Sequence, residues 1–129
     1  NPMVMKAGLE TLKLLDDKFY TALNMRCDQL ALEMNKILQE HQCDAHMAAF
    51  HSMMSIRFQK EEVSNYAETL QASGGERYEK LLHHMLKRVM YLPPADLESF
   101  FISGVHSSKD LDDFKTTLTH FFIQMEKGE

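Results

Sequence analysis

Apolar residues recur along this chain at two spacings, and the change from one to the other divides it. Phe19, Leu23, Cys27, Leu30, Met34, Ile37 and Leu38 follow a period of about 3.6 residues, which predicts a long helix from a cap at Asp16 or Asp17 to about His41. Before it, "NPMVMKAGLETLKLL" predicts a first helix, with Asn1 as N-cap and Pro2 at the first helical position. Its Val4, Ala7, Gly8, Thr11, Leu12 and Leu15 lie on or near one face. Gly8 in mid-helix costs about 1 kcal/mol against alanine and implies that something packs close there. From Asp44 the period shortens. Met54, Ile56 and Phe58 alternate, predicting one or two strands that are best defined at Ser52–Phe58. A polar excursion follows, with a short helix at Ala67–Gln71.

Ser73-Gly74-Gly75 opens a further helix, about Glu76–Val89, whose apolar face is Tyr78, Leu81, Leu82, Met85, Leu86 and Val89. Met90–Leu92 reads as a short extended piece, because the prolines Pro93-Pro94 push the preceding residue to extended geometry. Phe100–Ser103 reads as another strand. Ser107 caps the last helix, with Asp110 placed as in a capping box. Leu111, Phe114, Leu118, Phe121, Phe122 and Met125 form its stripe. Helices and strands do not alternate strictly, so the expected fold is α+β: a small, mostly antiparallel sheet of about three to four strands covered on one face by helices. The chain of 129 residues is expected to be a single domain.

Composition adds exclusions. The net charge is −5 with acids and bases interspersed, which argues against a nucleic-acid or anionic-membrane partner. No apolar run approaches a membrane span and no signal peptide is evident, so a cytoplasmic protein is expected. "NPMVMK" does not look like a natural start and suggests a fragment. Cys27 and Cys43 lack metal-ligand spacing, and reduced thiols fit better than a disulfide.

The candidate chemistry is sparse. No glycine-rich phosphate loop, CxxC, HExxH or nucleophile elbow is present. His46, His51 and His106 would converge if their strands paired, but no acid or cysteine sits at ligand spacing, and no metal site is expected. His83 and His84 point in different directions on a helix. Arg57 has the chemistry to bind a carboxylate, although a strand arginine is more often solvent-facing or ion-paired. Glu98, between a stiff Pro-Pro segment and a strand, is the acid best placed to line a pocket; simple exposure is the competing reading.

Three blocks resemble one enzyme family. "NPMVMKAGLETLKLL" is similar to "GNPLAMAAGLATLKLL" of class-III pyridoxal-phosphate aminotransferases, and "HSMMSIRF" to their strand "GSMFxLFF". "NYAETLQASGGERYEKLLHHMLKRVMYLPPADLESFFISGVHSSKDLD" resembles "NYxDAxxSDxxxYxxFFHxMLERGVYLPPSQFEAGFLSLAHTxEDID", characteristic of the glutamate-1-semialdehyde 2,1-aminomutases. The resemblance covers nearly the whole chain, in order and with matching spacing.

It implies a C-terminal small domain at residues 16–129, with residues 1–15 a connecting helix from a missing large domain. Pyridoxal phosphate would be held in that large domain of the full-length parent, a homodimer acting on a small amino-acid-like substrate. No lysine here matches the cofactor lysine, so no catalytic residue and no bound cofactor are expected in this chain, and it should be inactive alone. Glu98 matches the glutamate of "SQFE" that faces the active site, and suits a substrate amine. Ser52 and Met53 match the "SM" near the cleft, and Asn1 the asparagine after the loop that reaches the partner's cofactor phosphate. The departures are His51 for the glycine of "GSM", Ala95 and Asp96 for the Ser-Gln of "SQFE", and "VMYLPP" for "GVYLPP". They leave the exact substrate open. The alternative reading is a non-catalytic interaction module that has kept the small-domain fold.

Overall fold

Asn1 opens the chain by folding its side chain onto the next turn: its Oδ1 accepts from the Met3 N–H at 2.9 Å, starting helix α1 (Pro2–Leu14). This is a computed structural model, and it describes residues 1–126, with side chains to residue 124. No residue of α1 is buried, and a Cβ on Gly8 would meet nothing within 4 Å. The close neighbour that Gly8 implies is therefore not supplied by the described residues of this chain. Asp16, in extended geometry, turns the chain and caps α2 (Asp17–Glu40), its Oδ1 accepting from the Phe19 N–H at 2.8 Å. The predicted period holds: Leu23, Cys27, Leu30, Met34 and Leu38 are buried along one stripe.

Two strands follow, β1 (His46–Phe50) and β2 (Met53–Arg57), paired antiparallel around the two-residue turn His51-Ser52. A third, β3, is only Phe100–Phe101 and pairs antiparallel with β2, giving the order β1-β2-β3. The strand expected at Phe100–Ser103 is thus cut short, although the Ile102 N–H still donates to the Ser52 carbonyl at 2.9 Å. Met90–Leu92 is not a strand; the chain there is leaving a helix and has no partner edge to pair with among the described strands. The side chain of Asn35 closes the outer edge of β1, donating to the Met47 carbonyl at 2.9 Å and accepting its N–H at 2.8 Å. An unpaired strand edge is thereby satisfied by α2.

After a short helix α3 (Tyr66–Gln71), Gly74 and Gly75 introduce α4 (Glu76–Leu86). A Cβ on Gly74 would sit 2.4 Å from the Phe58 ring, while Gly75 carries φ +50° as the N-cap. Tyr78, Leu81 and Met85 face the core, but α4 ends before Val89. The Met90 N–H reaches the Met85 carbonyl and the Val89 N–H that of Leu86, each at 3.0 Å, a Schellman ending with Val89 at φ +62°. Val89 is therefore 96% exposed and does not belong to the apolar face on which periodicity places it. The last helix, α5 (Ser108–Glu126), is capped as expected. Asp110 Oδ2 accepts from the Ser107 N–H at 2.6 Å and hydroxyl at 2.7 Å, and the Asp110 N–H donates back to the Ser107 Oγ at 3.2 Å. Leu118, Phe121 and Phe122 are buried; Met125 lies beyond the described side chains.

The residues of α2, α4 and α5 form one core with Met47, Met54 and Ile56, which share a face of the sheet. Cys27 and Cys43 are buried thiols. The result is an α+β fold with a three-stranded antiparallel sheet, its helices packed on one face.

Candidate functional site

The strand register sends Phe50, Met53 and Phe101 to the sheet face away from the helices, with Ser55 and Arg57 further along it. Phe50 is 71%, Met53 39% and Phe101 65% exposed, so this half of the face is an open apolar surface. The other half is closed. Ser55 and Arg57 are buried, although a half-covered sheet predicts them to be wet.

What covers Arg57 is the Pro93–Glu98 loop, which three elements hold. The Tyr78 hydroxyl, from α4, donates to the Pro93 carbonyl at 2.8 Å, and Arg57 Nη1, from β2, to the Asp96 carbonyl at 2.7 Å. The Asp96 carboxylate accepts from the Ser73 hydroxyl and the Gly74 N–H, each at 2.7 Å, just ahead of α4. The Glu98 N–H closes a turn on the Ala95 carbonyl at 3.2 Å. Burial pushes the Tyr78 phenol up to about 12, reinforced by the Asp96 and Glu98 carboxylates and opposed by Arg57, so it stays a neutral donor at physiological pH. Burial also pulls Arg57 below its ordinary value, with Asp96 and Tyr78 acting against it. The guanidinium remains charged. Its Nε is buried without a hydrogen-bond partner.

The predicted site residues fall in different places. Glu98 is exposed at the end of the loop, immediately before Ser99 and β3. Ser52 is half-buried in the hairpin turn, tied through its carbonyl to Ile102. Met53 lies on the open apolar face. The topology thus places Ser52 and Met53 beside β3, with Glu98 just upstream of it. Asn1 is exposed at the far end of α1, its side chain occupied in capping. None of the four lines a described cleft. A concavity of about 500 Å³ is instead bounded by Arg88, Tyr91, Phe100, Phe101, His106 and Asp110.

Two expectations change. His46 and His51 stand at opposite ends of β1 and do not converge, because strand pairing separates them by the strand's whole length. Arg57 is neither solvent-facing nor in a side-chain ion pair among the described residues; it is buried and donates to a loop carbonyl, an arrangement that neither reading of it included. One signal was available. Arg57 stands where the resembled strand has phenylalanine, and Asp96 where the loop has glutamine, and the structure brings those two departures into contact. The Asp96 carboxylate is turned toward Ser73 and Gly74, so its role in the loop is structural.

The least exposed described lysine does not fit a Schiff base with pyridoxal phosphate. A lysine that forms a Schiff base needs a desolvated, readily deprotonated amine. Lys115, the least exposed described lysine, is held by Glu33 at 2.6 Å and Asp112 at 3.2 Å, and these carboxylates raise its pKa. The described helices include none long and apolar enough to cross a membrane.

No family model matches the chain. Curated relatives do. A protein of Oceanobacillus iheyensis named glutamate-1-semialdehyde 2,1-aminomutase 2 is 30% identical over 98% of this chain and 29% of its own length. The glutamate-1-semialdehyde 2,1-aminomutases of Alkaliphilus metalliredigens and Methanocaldococcus jannaschii are 35% and 32% identical, over 87% and 98% of this chain and 26% and 29% of theirs. The chain therefore spans less than a third of the enzymes it matches. Among solved structures, an omega-transaminase from Sphaerobacter thermophilus superposes with a TM-score of 0.81 at 19% identity, over 96% of this chain and 28% of that one. A glutamate-1-semialdehyde-aminomutase from Pseudomonas aeruginosa, in complex with PMP, gives 0.73 at 17% identity, over 83% and 23%. These two share the fold.

Proposed function

We propose that this chain is the C-terminal small domain of a pyridoxal-phosphate aminotransferase of the glutamate-1-semialdehyde 2,1-aminomutase kind, with residues 1–15 its connection to a large cofactor domain. The observation that carries the reading is the match of 98% of the chain to 29% of an aminomutase at 30% identity. Pyridoxal phosphate supplies such an enzyme with an electron sink and an amino-group carrier. The reading places the lysine that would hold it elsewhere in the parent.

The part assigned to this chain is one wall of the substrate cleft. The open face of Phe50, Met53 and Phe101 would exclude water. Ser52 would sit at the wall's turn and Glu98 would accept hydrogen bonds from a substrate amine; a carboxylate is the acceptor suited to that charge. The parent would be a homodimer, with Asn1 near the partner's cofactor phosphate. Its substrate would be a small amino-acid-like molecule, and the isolated chain would be inactive.

The test is direct. The isolated chain, incubated with pyridoxal phosphate and reduced with borohydride, is expected to show no stoichiometric adduct at any one lysine. An adduct at a single lysine would place the cofactor site here and overturn the assignment. The reading frame upstream of the Asn1 codon is expected to encode a lysine-bearing cofactor domain; an unrelated domain there would favour the non-catalytic interaction module.

A further inference from the structure

A buried arginine with a single hydrogen bond to a loop carbonyl is an expensive way to fill space. Burying a guanidinium is costly unless its donors are met. Arg57 meets that cost only in part, since its Nε has no partner. The phenylalanine of the resembled strand would fill the position with no such penalty. The arginine is therefore kept for something apolar volume does not provide, and the contact is specific: Nη1 to the Asp96 carbonyl at 2.7 Å, with the Asp96 charge as its main electrostatic support.

We infer that Arg57 is the positioning residue of the Glu98 loop, a strut from β2 to the loop backbone at the Asp96 carbonyl. The Asp96 carboxylate ties the same loop to Ser73 and Gly74 ahead of α4. Glu98 follows Asp96 by one turn, closed on Ala95. Fixing Asp96 at both its carbonyl and its carboxylate therefore fixes the start of the turn that presents Glu98. The loop is thus held at two separate points. A phenylalanine at position 57 leaves the Asp96 carbonyl without its donor from β2, and loss of the Asp96 carboxylate frees the other end of the loop from Ser73 and Gly74. This inference rests on the proposed role of Glu98 for its functional meaning, but its structural content does not.

The experiment reads loop order in the isolated chain by amide hydrogen exchange at Glu98, with Leu30 and Leu118 as core reporters, so no activity is needed. R57M, which fills similar volume without charge, is expected to speed Glu98 exchange about tenfold or more while the core amides change less than about threefold. R57K, which keeps the charge, is expected to hold Glu98 within about threefold of the parent rate. D96N keeps the carbonyl that Arg57 bonds and weakens the loop's other anchor, at Ser73 and Gly74, and is expected to speed Glu98 exchange as well. If R57M leaves the Glu98 rate unchanged, or speeds the core amides as much as Glu98, the strut is wrong. Should these results hold and Glu98 later prove remote from any substrate, the strut would stand and the cleft reading would fall.

Discussion

Three side chains occupy backbone positions that suit glycine: Gln42 at φ +55°, His51 at φ +54° and Val89 at φ +62°. Left-handed geometry costs an L-residue roughly 1–2 kcal/mol, and a β-branched one is worst placed to bear it. Two of the three, His51 and Val89, stand where the resembled motifs have glycine, which gives those departures a physical meaning. They are strained turns, accepted where the fold still needs the turn. His51 recovers little, since its Nδ1 lies 3.5 Å from Asp28 Oδ2 in a pair about half exposed, and such pairs contribute at most about 1 kcal/mol. H51G and V89G are each expected to stabilise the chain by about 1 kcal/mol. Urea denaturation would show this as a raised midpoint with an unchanged slope. A lowered midpoint for V89G would mean that Val89 contacts something that outweighs its strain.

Among elements, the α4–α5 contact carries a pH dependence. His84 Nε2 donates to the Thr117 carbonyl at 3.2 Å, and its ring stacks on His120. Burial depresses its pKa below 6.5, helped by Arg88, His120 and Lys87 and opposed by the Thr117 bond. His46, at the start of β1, is depressed by burial against the pull of Glu62. A histidine with a depressed folded-state pKa favours the fold when neutral. The stability it contributes is complete above the unfolded value and is lost as pH falls through the folded one. Stability is thus expected to fall between pH 7 and 5, before the lowered carboxylates such as Glu33 and Asp110 titrate. H84Q should flatten that decline when unfolding is measured across the range; an unaltered slope would remove His84 as a source. The entrance to α4 is a second test. Any side chain at Gly74 meets the Phe58 ring, so G74A is expected to cost about 1–3 kcal/mol by overpacking, read as a fall in thermal midpoint.

The same elements show what the sequence could and could not convey. Caps and stripes located α1, α2, α3 and α5 closely, because a helix is encoded within a few turns of itself. The α4 boundary failed at Val89, since periodicity continues through a residue that can in principle extend the stripe, whereas the Schellman turn ends it. Strand pairing was legible only as alternation, and Met90–Leu92 looked extended because prolines constrain dihedrals without supplying a partner edge. Arg57 was least legible. Its burial depends on a loop 39 residues away, and no local pattern in β2 announces that.

At the scale of the whole molecule the unanswered surface is α1. Met3, Val4, Met5, Leu12 and Leu14 are each more than 60% exposed, and Leu9 is half exposed, on a helix with no buried residue. Phe50 and Phe101 add a second apolar area on the open sheet face. Salt links such as Lys6–Glu10 and Lys13–Glu10 keep part of the helix surface wet, but they lie beside the apolar positions without covering them. Exposed apolar area of this kind is unusual for a protein that works alone. The proposed large domain would cover it in the parent; in the isolated chain the most available apolar surface is that of another copy. The chain is therefore expected to self-associate through α1, with mean mass rising with concentration in light scattering. V4E/L12E puts two charges on the helix at positions that touch no core residue, and is expected to return the chain to monomer without lowering its unfolding midpoint by more than about 0.5 kcal/mol equivalent, the range for surface substitutions. A parent chain that stays monomeric at high concentration would remove α1 as an association surface. A V4E/L12E variant that still associates would move the contact to Phe50, Met53 and Phe101.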